Sequence, residues 1–213
     1  MEKIKKIPLS AIIIMAVVSL SNLFGFYVAG ISVCIGVVFF FVTKFIEKQP
    51  FRDSGLDMEQ IGANFKDRKI WFWVALPLIM DAVSILISKL FLPEYIDHVV
   101  SRTGIFVSFD KSILLVFQLA FLALGEEIAW RAFFQKQLSK ALPMMPVLLI
   151  SSVLFALGHL REGNALIVAY DIFFVFINSI LYGIIFYKSN NAWVSGISHF
   201  IANLFSVIVL IFL

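Results

Sequence analysis

Residues 113–135 read Ile113-Leu-Leu-Val-Phe-Gln-Leu-Ala-Phe-Leu-Ala-Leu-Gly125-Glu126-Glu127-Ile-Ala-Trp-Arg131-Ala-Phe-Phe-Gln135. A bilayer core is crossed by a helix of about 20 mostly apolar residues at about 1.5 Å each. The stretch meets that length without a proline, so it reads as a membrane-spanning helix. It also carries two adjacent carboxylates and an arginine, groups that cost roughly 2.5–3.5 kcal/mol each at the centre of a membrane helix on insertion scales. A span that keeps them must pair them, wet them or use them.

Outward from this run the same pattern repeats. Apolar stretches at Ile7–Leu23, Phe26–Val42, Ile70–Leu92, Pro146–Leu160, Leu166–Tyr187 and Ala192–Phe212 predict six further spans. Together they predict an all-α, polytopic bundle of about seven spans, six to eight allowing for merged or split helices. The composition agrees: 61% of residues are hydrophobic, 15% are charged and 24 are Phe. Soluble domains average about 45–50% apolar and about 25% charged. The apolar excess covers the whole chain, which predicts one transmembrane domain over residues 1–213 and no separate soluble unit. Basic residues flank the apolar runs and form no stripe of their own, so nucleic acid is not an expected partner. Membrane lipid is. Nothing in the sequence bears on oligomeric state.

Lys and Arg in the loops set the orientation. With the N-terminus in the cytoplasm, Lys3, Lys5, Lys6, the Lys44–Lys69 connection, Lys136, Lys140 and Lys188 fall on that side. They make up twelve of the seventeen basic residues. Met1–Lys6 followed by an apolar stretch imitates a secretory signal, but the second span follows at once, and an uncleaved anchor is expected. A tight Asn22-Leu23-Phe24-Gly25 turn joins the first two spans. Lys44–Lys69 reads either as a surface loop leading to a short amphipathic helix or as a solvated connector. Cys34, the single cysteine, allows no intramolecular disulfide and reads as a small packing residue. No internal repeat supports an inverted-repeat transporter.

The polar residues inside spans are the informative ones: Asp81, Glu126, Glu127, Arg131, His159, Asp171, His199 and Asn203. Glu127 and Arg131 are four apart, share a helix face and can pair. Glu126 points about 100° away and must find partners elsewhere, which makes it the candidate general base or acid. A purely structural ion-pair cluster is the alternative. His159 ends its span, where a histidine can equally be an interfacial group. His199 and Asn203 share a face of the last span and can aim donors at one point or serve helix–helix contacts. Glu126, His159, His199 and Asn203 are expected to meet around one wet cavity. Such a set suits amide hydrolysis, with a base activating water and donors holding the oxyanion. It suits a divalent metal such as zinc equally, with Glu126, His159 and His199 as ligands. Asp81 and Asp171 are expected to be hydrogen-bonded structural groups or cavity liners. Trp130 and Phe155 are expected mainly to pack.

The ordered triple Glu126-Glu127-x-x-x-Arg131, Phe155-x-x-x-His159 and His199-x-x-x-Asn203 resembles the signature motifs of the CAAX-protease and bacteriocin-processing (CPBP, or Abi) family of intramembrane proteases. The resemblance covers roughly residues 117–204, the core bearing the motifs; the N-terminal half matches only in being membrane helices. It implies an active site in an intramembrane cavity and endopeptidase chemistry on a peptide or membrane-anchored protein. Carried over by position, Glu126 and His159 activate water, His199 and Asn203 stabilise the oxyanion, and Glu127 and Arg131 support them. It also implies a bacterial plasma-membrane setting, in bacteriocin immunity or peptide maturation, and leaves metal-dependent and metal-free mechanisms open. Two other classes remain: a non-enzymatic immunity or binding protein, and a small transporter or proton-coupled channel.

Overall fold

A computed structural model describes residues 3–28, 30–104 and 111–212. Met1 and Glu2, at the start of the expected anchor, lie outside the described residues. The described residues are mostly helical, with no strand among them; the main helices are α1 (Lys6–Leu20), α2 (Gly30–Ile46), α3 (Arg68–Phe91), α4 (Glu94–Thr103), α5 (Ser112–Glu127), α6 (Met144–Leu157), α7 (Ala165–Ser189) and α8 (Ala192–Phe212). Where water is absent every backbone N–H and C=O must bond internally, and helices do so within one segment. Five helical stretches are long and apolar enough to cross a membrane: Lys6–Phe24, Arg68–Phe91, Ile113–Leu138, Ala165–Ser189 and Ala192–Leu210. The remaining two of the seven expected spans are the shorter apolar helices α2 and α6. The fifth expected span starts two residues early and stops at Leu157, so His159 lies in a turn beyond the helix. α4 was not expected. It carries Glu94, Asp97, His98 and Arg102 and has too little apolar length to register as a span.

The outside of the bundle is greasy: Phe45, Phe121 and Ile113 are each about four-fifths exposed. Exposure of this kind suits acyl chains as solvent. Inside, α8 packs along α5, α3 and α7, while α7 also packs along α6 and α1 lies against α2 and α6. After Glu127 the α5 helix widens into a π-type turn over Ile128–Gln135, and every side chain in that segment is buried. Such widened turns concentrate at functional sites. Helices on all sides accommodate it, and on the α2 side only glycine permits the approach. A Cβ on Gly36 would come within 2.5 Å of the Ala129 Cβ.

Two expectations need correcting. The buried face of α2 is Ser32, Gly36, Phe40 and Thr43. Cys34 falls on the opposite side of the helix circumference, and its side chain is exposed at a cavity margin rather than packed. Of the two readings of the Lys44–Lys69 connection, the solvated connector is the one overturned. The connection contains short helical pieces at Phe51–Ser54 and Ile61–Lys66, and it is tied to the α7–α8 corner. There Asn191 Nδ2 donates to Asp57 O at 2.7 Å, and the Ala192 amide donates to Gly55 O at 2.7 Å.

Candidate active site

The widened end of α5 presents its two carboxylates differently. Glu127 is fully buried, with Arg131 Nε 3.4 Å from Oε2 and His199 Nδ1 3.1 Å from Oε1. Arg131, equally buried, also donates from Nη2 to the carbonyl and the hydroxyl of Ser179 on α7, both at 3.2 Å, and lies over the Phe155 ring. The predicted intrahelical pair is therefore present, with α7 and α8 completing it. Glu126 turns away into a cavity of about 570 Å³ and stays a fifth exposed. Its ion-pair partner among the described residues is His199, with Nε2 3.7 Å from Oε2.

His199 bridges the two glutamates. A carboxylate paired with Arg131 accepts rather than donates, so the proton on Nδ1 points to Glu127 and Nε2 faces Glu126 and the cavity. The ring is held flat against Tyr182, with centroids 4.3 Å apart and planes 18° from parallel. Tyr182 gave no signal in the sequence, where it is one aromatic among many in an apolar run. One turn along α8, Asn203 lines the same cavity, and its amide has no hydrogen-bond partner among the described residues.

His159 also lines the cavity. Its Nδ1 lies 2.9 Å from Phe155 O. A carbonyl can only accept, so Nδ1 carries the hydrogen and Nε2 of the neutral ring is left with its lone pair. Glu126 lines the same cavity. Phe155 packs in the core as expected, and its ring sits 4.6 Å from His159 and 6.3 Å from His199, centroid to centroid.

The two carboxylates outside the signature also line the cavity. Asp81 accepts from Asn178 Nδ2 and, at 2.7 Å, from Ser206 Oγ. Asp171 is held by Arg102 Nε at 3.3 Å and His98 Nε2 at 3.5 Å, both from α4. Each is hydrogen-bonded or ion-paired, and each is a cavity liner. His98 and Arg102 were overlooked because a short polar helix is invisible to a search for spans.

Residues 108–205, just under half of the chain, match the model of the Rce1-like family, described as type II CAAX prenyl endopeptidase Rce1-like. Over these residues the chain is similar to that family. Within the match, 108–110 lie outside the described residues. No curated protein and no solved structure matches the chain. The family supports a CAAX-type intramembrane protease, and all six of Glu126, Glu127, Arg131, His159, His199 and Asn203 fall inside the matched segment.

A metal ion was the open alternative for this donor set. Among the described residues no three His, Cys, Asp or Glu side chains are grouped to hold one. His159 and His199 each turn Nδ1 to a protein acceptor, which leaves Nε2, the usual metal-binding nitrogen, on the other side of each ring. The chemistry proposed below is written with protein groups alone.

Proposed function

We propose that the protein is an intramembrane endopeptidase in which Glu126, assisted by His159, activates water against a peptide carbonyl. The observation that carries this reading is the asymmetry of the two glutamates: Glu127 is consumed by Arg131 and His199, while Glu126 faces the cavity with a histidine on its open side. Glu126 takes a proton from water as oxygen attacks the carbonyl carbon, and His159 Nε2 accepts a hydrogen bond from the same water. The oxyanion is met by Asn203 Nδ2–H and, when His199 is protonated, by its Nε2–H. Collapse of the tetrahedral intermediate breaks the C–N bond, and Glu126 returns its proton to the departing amine. Glu127 and Arg131 hold His199 in place. The substrate is read as a peptide or membrane-anchored protein, in bacteriocin immunity or peptide maturation.

The protein is further read as resident in a bacterial plasma membrane with a cytoplasmic N-terminus. Supporting this, Lys140 pairs with Glu47 near the N-terminal lysines at one end of the bundle, while Arg161 meets Tyr27 at the other.

The test is cleavage of a peptide library by the purified, liposome-reconstituted protein. Glu126→Ala, His159→Ala and His199→Ala are expected to abolish products while reaching the membrane in normal amount. A parallel arm with a chelator and metal analysis of the purified protein is expected to leave cleavage intact. Unchanged immunity or processing in a null strain carrying Glu126→Ala would instead favour a non-enzymatic binding protein.

A further inference from the structure

His159 is the one candidate residue that no helix holds. It lies in the turn after α6, so the direction of its imidazole depends on what fixes that turn. Its own Nδ1 contact to Phe155 O is one restraint. The others come from the connection between α1 and α2, far away in sequence. Asn22, 1% exposed, donates from Nδ2 to Gly158 O at 2.8 Å and to Leu160 O at 3.3 Å. These are the carbonyls immediately before and after His159. A carboxamide –NH₂ has two hydrogens in one plane and can engage two acceptors at once. The chain then turns at Gly25, whose φ of +80° a side-chain-bearing residue rarely adopts. Tyr27 follows, with its ring 4.9 Å from the Arg161 guanidinium.

We propose that Asn22 is a positioning residue for His159: its carboxamide clamps the two flanking carbonyls and so sets the direction in which the imidazole enters the cavity. Tyr27 braces the same turn from its far side. Asn22 lies well outside residues 108–205, so the half of the chain that the family match leaves uncovered contributes to the site. The consequence for cleavage rests on the endopeptidase reading above; the clamp itself does not.

The chain has three histidines, at 98, 159 and 199. Diethyl pyrocarbonate modification of the full-length protein in liposomes, followed by peptide mass spectrometry, gives each its own rate. Asn22→Ala removes both donors, Asn22→Asp keeps the shape but offers carboxylate oxygens to carbonyls, and Asn22→Gln keeps the amide on a longer arm. In the Ala and Asp variants the His159 rate is expected to change several-fold while His98 and His199 hold theirs, with partial return in Gln. Peptide kcat is expected to fall about tenfold with KM little changed, as for a misplaced reacting group. Equal rates at His159 in all variants, or a common rise at all three histidines, would overturn the proposal. Should the Ala and Asp variants fail to accumulate, the milder Asn22→Ser and Asn22→Gln carry the same measurement. A selective His159 change in a protein that cleaves nothing even unaltered would sink the endopeptidase reading and leave the clamp standing.

Discussion

Two buried carboxylates in this molecule are built alike and do different things. Glu127 is met by Arg131 and His199, and Asp171 by Arg102 and His98. Each is a carboxylate inside a span, held by one guanidinium and one imidazole at 3.1–3.5 Å. The first set lies wholly within the bundle, with Glu127 and Arg131 at zero exposure. The second joins α7 to the short helix α4, whose Arg102 and His98 keep 16% and 10% of their side chains exposed. The decisive difference is what stands beside each. Glu127 has Glu126 as its neighbour in sequence, and the two share His199, so one carboxylate is neutralised and the other is free to face the cavity. Asp171 has no such companion. On the proposed reading, an arginine–carboxylate–histidine cluster within lipid is no signature of catalysis by itself; the unspent carboxylate next to it is.

The comparison breaks or sharpens under substitution. The largest effect is expected from Glu126→Gln, which keeps shape and removes the free carboxylate. Peptide cleavage should fall by about 10³-fold with folded protein unchanged, in line with loss of a general base. Asp171→Asn in the same assay should leave cleavage within an order of magnitude. Equal losses at both positions would erase the distinction.

Next in size is stability. Glu127→Ala leaves Arg131 buried and unpaired, which costs about 3–5 kcal/mol in a protein interior. It should appear as a large fall in thermal midpoint or folded yield, with His199 losing its Nδ1 partner as well.

Asp171→Ala should cost less, about 1–2 kcal/mol, because the partly exposed Arg102 and His98 can turn toward water. Chemical denaturation of the two variants side by side measures the gap, and a reversed order would show that α4 is as deeply sealed as the bundle core.

The smallest effect is expected at Tyr182→Phe. The stack on His199 depends on the ring rather than the hydroxyl, so cleavage should be nearly unchanged. Tyr182→Leu, which removes the ring, should cost about 1 kcal/mol in transition-state stabilisation, a fewfold drop in kcat.

How much could be read in advance followed the range of each interaction. The Glu127–Arg131 pair was legible because helix periodicity alone places residues four apart on one face. His199 and Asn203 were legible as a shared face for the same reason. That Glu126 rather than Glu127 is the open carboxylate also followed from the 100° step between neighbours. Local rules went wrong where local context misled: Cys34 sits in an apolar run yet faces outward, and α4 is too short and polar for a search for spans. Nothing local connects Asn22 to Gly158, Tyr182 to His199 or Ser179 to Arg131, since the members of each pair lie on different elements of the chain.

By itself, then, the sequence determined the membrane, the helices and the inventory of costly polar groups. Apolar length, charge placement and periodicity are additive properties of short stretches, and lipid leaves the backbone few alternatives to helix. Only the tertiary structure decided which polar groups share a cavity, which of two adjacent glutamates is spent, and which distant turn holds His159. Those outcomes depend on how helices cross and how closely they approach, at contacts such as Gly36 against Ala129. They are set by the packing of many residues together and by no single stretch of the chain.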